Sequence, residues 1–136
     1  MTVSERLLKL VLRLTGAALV LATPFIFLPH AWHGAAHERL GFGPYPAGPI
    51  IDYLARSVSA MYTLSGVFCW LVSFDVRRHA TVIIFLGVSS VAWGVLLTVV
   101  DFQLDLPWWW LLGEGPPAIV LGIVLIVLEM RVRPTV

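Results

Sequence analysis

The stretch ATVIIFLGVSSVAWGVLLTVV, residues 80–100, decides the fold because it contains neither a charged residue nor a proline. An α-helix rises about 1.5 Å per residue, so a helix over this stretch is as long as the hydrocarbon core of a bilayer is thick, roughly 30 Å. Soluble domains seldom contain an apolar run of this length. We therefore predict that residues 80–100 form a transmembrane helix.

The composition of the whole chain agrees with a membrane location. Apolar residues make up 59% of the 136 residues, and the mean hydropathy of +0.90 lies far above that of a typical soluble domain. Nine basic and eight acidic residues leave a net charge of only +1, so the chain lacks the basic surface that binds nucleic acid. The predicted partner is the lipid bilayer, and no nucleic-acid partner is expected.

Three further apolar runs are long enough to cross a bilayer, at about residues 7–28, 51–74 and 107–128. With residues 80–100 they predict an all-α fold: a polytopic membrane protein that forms one domain over residues 1–136, a bundle of four transmembrane helices. The first run is longer than the apolar region of a signal peptide, so we expect it to be retained as a span.

Arg39 is predicted on one side of the membrane with Arg56 at its edge, whereas the other seven basic residues fall on the opposite side. They lie at the start of the first span, between the second and third spans, and after the fourth: Arg6, Lys9, Arg13, Arg77, Arg78, Arg131 and Arg133. Loops rich in Lys and Arg face the cytoplasm. The sequence therefore predicts a multi-pass protein of the bacterial inner (cell) membrane with both termini in the cytoplasm, and with Trp108, Trp109 and Trp110 at the outer interface.

Each span carries small or polar residues at helical spacing, which predicts where the helices pack or, as the alternative, which residues line a pore or ligand cavity. Burial of apolar surface does not drive helices together in lipid, so close approach at small residues and hydrogen bonds must do so. The predicted faces are Thr15, Ala18 and Ala22; Asp52, Arg56, Ser59, Thr63, Gly66 and Ser73; Gly87, Ser90, Gly94, Thr98 and Asp101; and Gly115, Ala118, Gly122, Glu129 and Arg133.

Prolines predict irregular helices in two spans. Pro24 cannot donate a backbone hydrogen bond, so we expect it to bend the first span near its outer end. In the fourth span, the segment GEGPP at residues 113–117 predicts a kinked or broken helix.

Three charged residues near the outer ends of the spans form the first candidate site. A carboxylate such as Glu114 is costly in a membrane unless it has a partner, and Asp101 and Arg56 are predicted at the same level. We expect a buried polar cluster of Arg56, Asp101 and Glu114. It would serve either as a structural salt bridge or as a proton or anionic-headgroup site.

Three histidines form the second candidate site. His30, His33 and His37 would share one face of a helix, with a spacing that can hold zinc. The alternative, which we favour, is a short amphipathic helix on the outer surface between the first two spans. Gly41 would end this helix, and Pro49 would lie in the first turn of the second span.

The segments HERLGFGPYPAGPIIDYLARSVSAMY, SFDVRRH and LPWWWLLGEGPP resemble those of a group of small bacterial four-span membrane proteins to which no function is assigned. In size and topology the chain is also loosely similar to DoxX-like membrane proteins. This second likeness implies a membrane partner of a redox enzyme. No DoxX motif is matched, so no residue role is carried over.

The sequence contains no phosphate loop, GxSxG, HExxH or dinucleotide motif, so a non-enzymatic role is favoured and no cofactor is predicted. Three functions stay open. The first is a structural or accessory subunit, with a membrane-protein partner or as a homo-oligomer. The second is a redox accessory that binds quinone or another lipophile. The third is a proton or solute pathway formed by an oligomer.

Overall fold

A computed structural model describes residues 1–132, and the predictions made at Arg133 and at the C-terminus lie outside the described residues. Residues 1–132 contain helices and no strand. In chain order the helices are α1 (Val3–Val20), α2 (Thr23–Phe27), α3 (His30–Arg39), α4 (Pro49–Phe74), α5 (Ala80–Gln103) and α6 (Trp108–Val132).

Within this part of the chain, four helical segments are long and apolar enough to cross a membrane: Val3–Phe27, Pro49–Phe74, Ala80–Gln103 and Trp108–Val132. Each agrees with a predicted span to within a few residues. The predicted fold class is therefore confirmed, because the chain is all-α, has four membrane-spanning helices and has a short helix, α3, between the first two.

The first span is interrupted where proline predicts it. Helix α1 ends at Val20, and α2 begins at Thr23 with Pro24 in its first turn, where the missing N–H of proline costs least. The Thr23 hydroxyl donates to the Val20 carbonyl at 2.7 Å and is 3.1 Å from the Thr63 hydroxyl. These hydrogen bonds give partners to the Val20 carbonyl and to both threonine hydroxyls where the helix is interrupted.

The fourth span is not interrupted, so the prediction of a broken helix is wrong, whereas a kink at the prolines stays a prediction. Helix α6 runs from Trp108 to Val132 with Pro116 and Pro117 inside it. Gly115 precedes the first proline and has no Cβ to clash with the proline ring. Moreover, leaving the helical conformation inside a membrane would expose many backbone groups to lipid, whereas a proline in the helix frees only one carbonyl.

Backbone contacts divide the chain into two compact units. One comprises Met1–Leu12 and the chain from Val72 onward, and the other comprises Arg13–Leu71. We call them the terminal unit and the middle unit, after their places in the sequence, and describe each by itself.

The terminal unit has an apolar core to which all four spans contribute. Its buried residues lie near the start of α1, at and after the end of α4, in α5 and in α6: Leu8, Leu12, Val72, Val76, Ile83, Leu125 and Val132.

At the start of α1, the Thr2 hydroxyl accepts from the Glu5 N–H at 3.2 Å and the Glu5 carboxylate accepts from the Thr2 N–H at 3.3 Å. This reciprocal capping box satisfies two free donors of the helix.

Glycine pairs bring α5 and α6 into close contact in the terminal unit. Gly94 lies against Gly115, because a Cβ built on Gly94 would be 2.6 Å from the Gly115 carbonyl oxygen. Gly87 lies against Gly122 in the same way, at 2.9 Å. The two pairs are seven residues apart on each helix and run in opposite directions, so α5 and α6 are antiparallel and packed backbone to backbone, as their small residues predict.

The middle unit contains a third glycine contact, between α1 and α4. A Cβ on Gly66 would be 2.6 Å from the Gly16 carbonyl oxygen, and one on Gly16 would be 2.7 Å from that of Gly66. The Trp70 indole N–H donates to the Arg13 carbonyl at 2.9 Å. The prediction that Ala18 belongs to the packing face of the first span is wrong, because Ala18 is exposed and Gly16 occupies the contact.

Candidate functional site

The candidate site predicted at the histidines is built on α3 and on the loop that follows it in the middle unit. Helix α3 ends as predicted at Gly41, which has a φ of +83°. The Gly41 N–H donates to the Glu38 carbonyl and the Phe42 N–H to the His37 carbonyl, which is the Schellman arrangement. The chain then turns back through Tyr45 and enters α4 at Pro49, as predicted.

Tyr45 is surrounded by the three histidines of α3. Its ring centroid is 5.0 Å from that of His30, 5.3 Å from that of His37 and 6.3 Å from that of His33. The Tyr45 hydroxyl is buried and has no hydrogen-bond partner among the described residues. Burial and the nearby Asp52 carboxylate raise the pKa of the Tyr45 phenol. We call His30, His33, His37 and Tyr45 the histidine–tyrosine cap.

Each histidine of the cap bonds to a different partner. His30 Nδ1 is 2.7 Å from the Asp52 carboxylate, His33 Nε2 donates to the Phe25 carbonyl at 3.0 Å, and His37 Nδ1 donates to the Gly43 carbonyl at 3.0 Å. These bonds tie α3 to α2, to α4 and to its own loop. Within residues 1–132, no three His, Cys, Asp or Glu side chains are arranged to hold a metal ion.

Arg56 lies in the same unit, one turn after Asp52 on α4. Its guanidinium is exposed and donates to the Leu28 carbonyl at 3.3 Å. Leu28 follows the end of α2, so its carbonyl has no partner within a helix. Arg56 therefore caps this helix end in the described structure.

The two carboxylates of the other candidate site lie in the terminal unit, where α5 ends and α6 begins. The Asp101 side chain is 3% exposed, and its Oδ2 atom has no hydrogen-bond partner among the described residues. Asp101 is close enough to Glu114 to act on it electrostatically, and the Glu114 carboxylate accepts a hydrogen bond from the Trp110 side chain. Neither carboxylate forms an ion pair within the described part of the terminal unit.

A cleft of about 280 Å³ opens beside Glu114, lined by Trp109, Trp110 and Gly113. The two indole rings stand nearly perpendicular, with centroids 5.9 Å apart and an angle of 86° between their planes. A Cβ built on Gly113 would meet nothing within 4 Å, so this part of the wall is open. The cleft thus combines aromatic faces with a carboxylate.

The structure brings together some of the residues predicted as sites. Asp101 and Glu114 are neighbours in the terminal unit, and the three histidines share α3 in the middle unit. Arg56 belongs to the middle unit, so its pairing with the two carboxylates stays a prediction, as does metal binding by the histidines.

Sequence reasoning missed Tyr45, Trp109 and Trp110 as members of these sites. Tyr45 stands between Pro44 and Pro46, and prolines that fix the backbone on both sides of an aromatic residue were a usable signal. Trp110 and Glu114 are four residues apart, which places them on one helix face. The sequence predicts the tryptophans at the membrane interface, and only the structure places Trp109 and Trp110 beside Glu114.

Comparison of the chain with protein-family models, curated proteins and solved structures gave no match.

Proposed function

We propose that this chain is a non-enzymatic accessory subunit of the bacterial inner membrane, with both termini in the cytoplasm, that binds a partner membrane protein within the bilayer. The four apolar helices indicate an integral membrane protein in contact with lipid. The accessory role and the partner protein are inferred from one tryptophan in α5.

Trp93 is the observation that carries the proposal. It lies near the middle of α5, at least ten residues from each end of the helix, and thus at least about 15 Å from either end. Its side chain is 50% exposed, and its indole N–H has no acceptor among residues 1–132. Lipid chains offer no acceptor either, and tryptophan prefers the membrane interface.

The surroundings of Trp93 also favour a protein neighbour. Ser89 lies one turn earlier on the same side of α5, so two polar groups are on one stripe at mid-membrane depth. The stripe continues with Phe85 and Leu96, which are 67% and 51% exposed, and it lies away from the glycines that contact α6. A partner helix with a polar group at this depth would satisfy the indole N–H.

The likeness to DoxX-like proteins supports the same proposal, since some of those proteins are membrane partners of redox enzymes. A complex of that kind would need no catalytic residues on this chain. It would need a rigid scaffold, and the glycine contacts between α5 and α6 would supply one.

Photo-crosslinking in cells tests the proposal. A benzophenone amino acid replaces Trp93, and in a matched control it replaces Val120, which is at mid-depth on α6 and 60% exposed. We expect a protein adduct of one defined mass from position 93 and only lipid adducts from position 120. Lipid adducts alone at position 93 would refute the proposal, and adducts to a second copy of the chain would replace it with homo-oligomer formation.

A second measurement tests the role of the indole N–H itself. Trp93→Phe removes the N–H but keeps an aromatic ring, and native mass spectrometry in mild detergent measures the fraction of chain that retains the partner. Loss of one interhelical hydrogen bond, about 0.6 kcal/mol in a membrane, should lower this fraction. Trp108→Phe, at the exposed start of α6, should leave it unchanged.

A further inference from the structure

The cleft at the start of α6 has the components of a binding site for an organic cation. Trp109 and Trp110 form two walls at 86° to one another, and the Glu114 carboxylate lies at the same cleft. The faces of an indole carry partial negative charge and attract cations. The N–H that Trp110 donates to Glu114 lies in the plane of the ring, so this bond itself covers neither face of the indole.

The carboxylates near the cleft lack a cation of their own. Asp101 is 3% exposed with one oxygen unpartnered, and neither Asp101 nor Glu114 is ion-paired within the described part of the terminal unit. Two acidic side chains in membrane-spanning helices are costly unless positive charge compensates them. The cleft therefore places a carboxylate that has no ion-pair partner within the described terminal unit next to aromatic surface.

We propose that Trp109, Trp110 and Glu114 bind the ammonium group of an organic cation, supplied by a zwitterionic lipid headgroup or by a free quaternary amine. The volume of about 280 Å³ lies just below the range of about 300–1,000 Å³ for clefts that hold drug-sized ligands, so the bound group is small. Tryptophans at the start of a span lie at headgroup depth, where both sources of ammonium groups have access.

The chemistry of the cleft favours an organic cation over a metal ion. Mg²⁺ and Ca²⁺ require several oxygen ligands, whereas the cleft offers one carboxylate and two indole rings. An alkylammonium group is weakly hydrated, so it can contact aromatic faces while the carboxylate balances its charge.

Choline binding to the full chain tests the proposal. The protein is placed in nanodiscs of phosphatidylglycerol, which has no ammonium group, and choline chloride is titrated by calorimetry against matched sodium chloride. We expect saturable binding that falls at least about tenfold, or about 1.4 kcal/mol, in Glu114→Gln and in Trp109→Leu. Trp109→Leu keeps an apolar side chain and so remains informative if Glu114→Gln fails to fold.

Trp108→Leu is the matched control, because Trp108 precedes the cleft, is 74% exposed and does not line it. Its choline affinity should equal that of the unmodified chain. Equal losses in Trp108→Leu and Trp109→Leu, or binding unaffected by Glu114→Gln, would overturn the proposal. The proposal would also be overturned if the protein neither binds choline nor selectively retains phosphatidylethanolamine.

A second experiment identifies the source of the ammonium group. Native mass spectrometry follows protein released from nanodiscs of equal phosphatidylethanolamine and phosphatidylglycerol. Retention of phosphatidylethanolamine that is lost in Trp109→Leu supports a lipid headgroup. Choline binding without lipid preference supports a free amine. The absence of both refutes the site.

Discussion

The ring of Tyr45 contacts all three histidines of α3, and so a loop residue organises the cap at this end of the middle unit. Its hydroxyl is buried without a partner, which a neutral phenol tolerates far better than a phenolate. The backbone around it is held by Pro44 and Pro46 and by glycines with positive φ at positions 41, 43 and 48.

Tyr45 should titrate above the ordinary tyrosine pKa of about 10, because burial and the Asp52 charge disfavour the phenolate. A pKa raised in the folded state means that the folded protein holds the proton more tightly. Stability from this group is therefore complete below pH of about 10 and is lost as pH rises through the raised value.

Absorbance at 295 nm measures this ionisation in the unmodified chain and in Tyr45→Phe. The chain has three tyrosines, and subtraction of the two titrations isolates Tyr45. Thermal unfolding in detergent should also lose more stability at high pH in the unmodified chain than in Tyr45→Phe. A difference curve centred at or below pH of about 10 would contradict the burial of the hydroxyl.

Helices α5 and α6 illustrate what small residues do in a membrane. Their glycines stand opposite one another, so the two backbones meet where any side chain would separate them. Thr98 donates to the Gly94 carbonyl at 2.7 Å, so its hydroxyl is satisfied within α5 while its side chain lies against Gly115. The contact depends on shape and not on burial of apolar surface from water.

Gly122→Ala should destabilise the protein by about 1–3 kcal/mol, the usual cost of overpacking. The added Cβ would lie 2.7 Å from Val91 Cγ2 and 2.8 Å from the Val91 backbone nitrogen, so α5 and α6 would have to separate. Chemical unfolding in detergent micelles measures the change.

Gly113→Ala is the control for this prediction because it lies on the same helix with nothing within 4 Å of its Cβ. Replacement of an exposed helical glycine by alanine should stabilise the helix by about 0.5–1 kcal/mol. Similar destabilisation by both variants would show that helix propensity, and not packing against α5, controls the response.

In the molecule as a whole, basic residues gather at one end of the terminal unit. The Glu5 carboxylate accepts from Arg77 at 3.2 Å, which places the start of α1 beside the connection between α4 and α5. Because α5 and α6 are antiparallel, the end of α6 with Arg131 lies at this same end. This arrangement favours the orientation with both termini in the cytoplasm.

Cysteine labelling in intact cells tests the orientation. Cys69, the single cysteine of the chain, is buried, and Cys69→Ala removes it as background. In that chain, a membrane-impermeant maleimide should label Gln103→Cys, at the end of α5, in intact cells. It should label Asp75→Cys, after α4, only once the cells are permeabilised. The reverse pattern would show that the proposed orientation is inverted.

The sequence alone determined the number and extent of the spans, the interruption at Pro24 and the end of α3 at Gly41. These features have local causes, because lipid requires each segment to satisfy its own backbone hydrogen bonds, and proline and glycine act on the residues beside them.

Only the tertiary structure decided which small residue packs, Gly16 and not Ala18, and that α6 continues through Pro116 and Pro117. It also placed Tyr45 among the histidines and Trp110 against Glu114. These contacts depend on which backbone or ring from another part of the fold lies beside each residue. The packing of whole helices sets how closely such groups approach, and the residue pattern within a single helix does not encode it.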